Sequence, residues 1–236
     1  MRIGYLNFDA MGRHSDNPMN NVKVRQAIAH SIDREGIVDA LVKGESIVVH
    51  SMCFPSQFGC TQDVPKYDYN PEKAKQLLAE AGYPNGFEIP FLAYRNRDYA
   101  EAMINNLNAV GIKTKFEYLK YAAFRDKVQD GGSPFNFGTW GSYSINDVSA
   151  ITSHFQSGGK DDYSKDSEVI KNLKIGDTSV DPDIRKNAYQ SALSRIAQEV
   201  FMFPLWSYNT WYAFSKEVEF NPTPDEIPRF FTAEWR

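Results

Sequence analysis

Residues 21–39, NVKVRQAIAHSIDREGIVD, and residues 67–88, YDYNPEKAKQLLAEAGYPNGFE, each spell out capped helices, and their order along the chain decides the fold. In the second stretch Asn70 can N-cap, and Pro71 suits the first helical position, where its missing N–H costs nothing. Ala74, Leu77, Leu78 and Ala81 then form one apolar stripe at helical spacing. Gly82 can take the left-handed closing conformation, and Pro84 forbids continuation. In the first stretch Val24, Ala27, Ile28 and Ser31 share a helical face. Asp33 can cap a second helix carrying Ile37, Val38, Leu41 and Val42, with Gly44 closing it.

Outward from these helices, residues 2–8 alternate as a strand, and residues 87–94 read as another, with Pro90 marking an edge or an interruption. A helix over 99–110, a strand over 112–119, a helix over 122–129 and a strand over 135–140 follow. This alternation predicts α/β layers with largely parallel pairing. Beyond Trp140 the patterns predict helices over 147–155, 167–175 and 181–200, then strands over 203–208 and 210–215. From Phe201 onward 36 residues hold 11 aromatic rings, too many to be left in water.

The chain has 236 residues, enough for one large domain or two small ones, and 42% hydrophobic with 24% charged residues is an ordinary globular composition. A net charge of −4 without a basic run argues against nucleic-acid binding, which needs clustered Lys and Arg. No apolar stretch approaches the roughly 20 residues that span a bilayer, and residues 1–10 turn polar too soon for an export signal. Cys53 and Cys60 lie seven apart in a Pro- and Gly-bearing loop. They can close a local disulfide in an oxidising compartment or remain two thiols; a metal site would need more ligands, with only His50 nearby.

Taken in order, the two capped stretches resemble the third-domain signature of bacterial extracellular solute-binding proteins of family 5, the peptide, opine and nickel receptors of ABC importers. The resemblance runs from about Tyr5 to Trp235. It implies an α/β, type II periplasmic-binding-protein-like lobe (cluster C, domain III), with a mixed, mainly parallel sheet flanked by helices. It further implies a ligand receptor without catalysis, and a chain that is the C-terminal half of its parent; no cofactor and no metal site in this chain are expected. Residues 1–18 and 201–236 would then belong to lobe one, and 19–200 to the ligand-binding lobe. The implied partners are a peptide or other small solute, a membrane permease and the N-terminal half. The implied location is the periplasm, with an export signal upstream. Some of the late aromatic rings would pack on that other half, and others beneath Tyr5 and Phe8.

The segment FNFGTWGSYSIND at 135–147 resembles the family's strand-to-loop edge facing the cleft. Trp140 offers a flat wall and an N–H donor beside which a peptide can dock as an added strand, with Ser142, Tyr143 and Asn146 polar around it. Many peptide-binding relatives carry an Asp three residues after that Trp for the ligand ammonium. Here the position is Tyr143, uncharged near neutral pH, which leaves Asp147 as the ammonium partner or, alternatively, as the cap of the next helix. The loop YRNRD at 94–98 follows a strand C-terminal end, where ligands of α/β sheets gather. Relatives place an Arg there for the ligand carboxylate; beside Tyr94, both Arg95 and Arg97 approximate that position. An α/β hydrolase is the alternative class, but there is no G-x-S-x-G, HExxH or phosphate-binding Gly loop, and the Cys53–His50 pair lacks an orienting partner. A ligand-sensing module would use the same closure and reads identically.

Overall fold

The computed structural model describes residues 1–223 and 225–236. The capped stretches fold as their end residues dictate. Asn21 Oδ1 accepts the Lys23 N–H at 2.9 Å and starts α1 (Val22–Ser31). Asp33 Oδ1 accepts the Gly36 N–H at 2.9 Å and starts α2 (Arg34–Ile37). Instead of running on as one α-helix, α2 widens into a π-type turn (Val38–Val42) that ends where Lys43 and Gly44 both take positive φ. Asn70 Oδ1 accepts the Lys73 N–H at 2.9 Å and starts α3 (Pro71–Glu80), which packs on α1.

Strands and helices then alternate: β1 (Arg2–Phe8) lies upstream, and β2 (Phe87–Ala93), α4 (Arg97–Ala109), β3 (Ile112–Tyr118), α5 (Tyr121–Gln129) and β4 (Phe135–Gly141) follow α3. β5 (Met202–Ser207) completes a five-stranded sheet in the order β3-β2-β4-β1-β5. The β3-β2-β4 side is parallel, as βαβ connections require, whereas β1 runs antiparallel to both β4 and β5. Pro90 is tolerated inside this sheet because β4 meets β2 only at Leu92 and Ala93, beyond the residue that lacks an N–H. At the start of β2, Gly86 (φ +73°) sits so close to the Gly111 carbonyl that a Cβ would collide with it.

Alternation along β1 divides the core. Leu6 and Phe8 face α1, α3 and α4 together with Phe91, Phe135, Phe137 and Trp206. Ile3 and Tyr5 face the opposite layer of α6 (Ser149–Phe155), α7 (Ser167–Thr178) and α8 (Pro182–Glu199). Two buried arginines tie these layers by their guanidinium forks. Arg25 donates to the carbonyls of Met19 and Glu199, at 2.6 to 2.9 Å. Arg34 donates to those of Val49 (2.8 Å), Pro204 (3.0 Å) and Tyr67 (3.0 Å).

The strand expected over 210–215 does not form. Residues 47–49 already cover the outer edge of β5, through the Val48–Trp206 bridge and the Val49 N–H bond to Leu205 O, so the chain after Ser207 finds no open edge. Among the described residues, a two-residue ribbon, β6 (Val218–Glu219) with β7 (Glu234–Trp235), follows. The late aromatics divide accordingly. Phe201, Phe203 and Trp206 join the core beside Tyr5 and Phe8, while Trp211, Phe230, Phe231 and Trp235 stand exposed.

Candidate functional site

β2 and β4 end at the same edge of the sheet, and their last residues bring two of the expected loops together. Thr139 Oγ1 is the meeting point: Arg95 Nη1 donates to it at 3.0 Å, Arg2 Nη1 at 3.2 Å, and the Tyr94 hydroxyl lies 3.3 Å away. The Arg2 guanidinium is matched by Glu226, whose two oxygens lie 2.9 and 3.1 Å from Nε. Gly141 permits this approach, since a Cβ there would fall 2.8 Å from Glu226 Oε2. Arg95 is different. Among the described residues no carboxylate lies within salt-bridge distance of it, so this half-buried cation is held in place by a hydroxyl without being neutralised. Arg97, the first residue of α4, bonds Glu101 at 2.7 Å on the open surface instead, which separates the two arginines that the sequence left equivalent.

Thr139 and Trp140 are successive strand residues and point to opposite faces, so Trp140 does not wall the Arg95 cluster. It opens onto a cavity of about 590 Å³ shared with Tyr143, Ile145, His154, Arg185 and Tyr189. The indole stacks on His154 (centroids 4.5 Å apart, planes 24°) and meets Phe155 and Tyr143 edge-on. Behind it, His154 Nε2 lies 3.1 Å from Asp161, which also pairs with Arg125 at 2.8 Å. Burial opposes the charge on Asp161, but the hydrogen bonds from His154 and Arg125 prevail and hold its carboxyl well below the usual carboxylate range.

The other predicted contacts fare unequally. Asp147 is engaged within the chain: Oδ1 accepts the Ser149 N–H at 2.9 Å at the start of α6, and Oδ2 pairs with Arg185 at 2.7 Å. Ser142 is buried and lines a small cavity with Phe54 and Gln57. Asn146 exposes its side chain while its carbonyl accepts the Phe58 N–H. Tyr143 is 71% exposed, and it and Ser144 take φ of +49° and +67°, a left-handed pair that the surroundings must enforce. Reading the sequence missed Arg2, Thr139, His154, Arg185 and Tyr189. Burial first, and Asp177 after it, push Tyr189 up to about 12 against the lowering bond from Arg185, so it serves as a neutral donor to Asp177.

Cys53 and Cys60 are joined, which removes both as nucleophiles or metal ligands. Among the described residues no three His, Cys, Asp or Glu side chains converge as a metal site, and no helix is long and apolar enough to cross a membrane.

A sequence profile described as "Bacterial extracellular solute-binding proteins, family 5 Middle" matches residues 1–162. Heme-binding protein A of Haemophilus influenzae is 32% identical over 139 residues, 56% of this chain and 25% of that protein. The dipeptide-binding protein of Escherichia coli K12 is 30% identical over the same shares. The solved structure of HbpA2 from Haemophilus parasuis superposes with a TM-score of 0.87 at 26% identity, over 100% of this chain and 48% of that one. The chain thus spans about half the length of the solved relative it matches. The fold is that of a type II periplasmic binding protein, and the chain belongs to the bacterial extracellular solute-binding proteins of family 5.

Proposed function

We propose that this chain is the C-terminal lobe of the solute-capturing component of an ABC importer. It holds an oligopeptide or related solute against a second lobe and passes it unaltered to a membrane permease. Residues 19–200 form the gripping lobe in this reading, and residues 1–18 and 201–236 belong with the N-terminal half. The exposed rings of Trp211, Phe230, Phe231 and Trp235 then face that half, and the whole works in the periplasm. Closure is a population shift driven by contacts that exist only in the shut form.

One observation carries the reading: Arg95, fixed by Thr139 at the ends of the parallel strands, is a cation without an acid among the described residues. A planar guanidinium so placed suits a carboxylate, the terminal group of a peptide. With Tyr143 where many relatives carry an acid, this lobe grips the carboxyl end of the solute and leaves its ammonium to other groups. The test titrates the longer protein with a mixture of short peptides, with free or amidated C-termini. Free acids should bind at least about ten-fold more tightly, and Arg95→Ala should abolish that preference. Equal binding of acids and amides by the unaltered protein would sink the assignment.

A further inference from the structure

The loop closed by Cys53 and Cys60 lies directly beneath residues 142–148, the loop that bears Tyr143. Gln57, itself buried, donates from Nε2 to the carbonyls of Ile145 (3.1 Å) and Asp147 (3.2 Å). The Phe58 N–H donates to Asn146 O at 3.1 Å, and the Val148 N–H returns to Phe58 O at 3.0 Å. Three successive carbonyls of the upper loop are therefore satisfied from two residues of the lower one. Gln57 is aimed in turn by its own loop, because its Oε1 accepts the Phe54 N–H at 2.9 Å. Arg185, the partner of Asp147, lies over the Phe58 ring at 5.0 Å and closes the arrangement from the side.

The upper loop needs such support. Tyr143 and Ser144 hold consecutive left-handed conformations that neither residue favours, and such backbone persists only where neighbours over-determine it. The lower loop has no helix or strand of its own to stiffen it, and it contains Pro55 and Gly59. The covalent link between Cys53 and Cys60 joins its two ends, beside the Cys53 N–H bond to Ser51 O and the Cys60 N–H bond to Gln57 O.

We propose that the Cys53–Cys60 disulfide is a positioning brace for the solute-facing loop. Joined, it presents Gln57 and Phe58 as the edge on which residues 145–148 are shaped; reduced, it lets that edge drift, the Tyr143 conformation relaxes and solute capture weakens. The inference rests on reading residues 140–147 as facing the solute. Reduction by a dithiol supplies the electrons: the S–S bond breaks, each sulfur gains a proton, and the reagent closes to its own cyclic disulfide. Cys53 is fully buried and Cys60 half-buried, so attack enters at Cys60.

Hydrogen exchange of this 236-residue chain, oxidised, dithiol-treated and as the Cys53→Ser/Cys60→Ser variant, tests the brace. The amides of Ile145 and Val148 should exchange about ten-fold faster once the link is lost, with those of β2 and α4 unchanged. Gln57→Leu, which keeps the disulfide but removes both side-chain bonds, should reproduce part of the effect even if the double variant folds poorly. Unchanged exchange at 145–148, or equal acceleration everywhere, overturns the proposal. In a parallel titration of the longer protein with mixed short peptides, reduction should raise Kd about five-fold. An unchanged Kd overturns the link to capture. Absence of binding in either form counts against the solute-facing reading, while the exchange data still decide the brace.

Discussion

Arg34→Met removes the fork that ties α2 to residues 49–67 and to β5 while keeping an unbranched stem of similar length. Two effects oppose each other. Burial draws the Arg34 guanidinium down to about 10, so it remains charged at neutral pH, and losing a buried charge recovers some desolvation cost. Against that, the carbonyls of Val49, Pro204 and Tyr67 lose donors at 2.8 to 3.0 Å, and hydrogen bonds to charged groups contribute about 1.5–3 kcal/mol each. Because Val49 and Pro204 are themselves buried, water does not replace the lost donor, and the second effect wins. Allowing for non-additivity, the net loss should be about 3–5 kcal/mol, out of a total of about 5–15 kcal/mol. At about 2–4 °C per kcal/mol for a chain of this size, Tm should fall by about 6–20 °C. Urea unfolding followed by circular dichroism and tryptophan fluorescence measures it, with Arg34→Lys falling between, since one ammonium cannot reach all the acceptors. A loss below about 1 kcal/mol for Arg34→Met would refute the reasoning, because it would mean that the guanidinium is not what fastens these elements.

Two further outcomes follow from the site. Asp161 has a folded pKa below its unfolded value, so its contribution is fully present above about pH 4 and is lost as pH falls toward the folded value. Asp161→Asn should therefore lower stability at neutral pH and flatten the loss between about pH 4 and about pH 2; an unaltered acid limb in urea unfolding would count against the His154–Asp161–Arg125 cluster as a stabilising unit. Arg97→Ala should leave the affinity for short peptides with a free carboxyl end within about two-fold of the parent, because Arg97 is spent on Glu101 at the surface; a loss matching that of Arg95→Ala would reverse the assignment of the two arginines.

What the sequence made legible was local. Asp33 and Asn70 cap as expected, and Asn21 does the same for α1, because a side-chain oxygen reaches an N–H two or three residues on, whatever the rest of the chain does. The strand–helix order was legible for the same reason, since each element carries its own periodicity. The strand expected at 210–215 failed on a non-local fact, the covering of β5 by residues 47–49. The neighbours of the expected site residues were set by the same kind of non-local fact. Arg95 and Arg97 part by which neighbour arrives, Thr139 or Glu101, and Thr139 comes from another strand. Asp147 reads equally as cap or as ligand until Arg185 appears from α8. The floor of the Trp140 cavity, built by Arg185 and Tyr189, has no signature near Trp140 in the chain, and only packing of α6 to α8 creates it.

In the proposed mechanism one solute is held between this lobe and a second one. Native mass spectrometry of the longer protein, released from cells without refolding and compared with this 236-residue chain, addresses that directly. The longer protein should carry one additional small mass that Arg95→Ala diminishes, and this chain alone should carry none. A bare mass from the longer protein, or a solute retained by this chain alone, would contradict it.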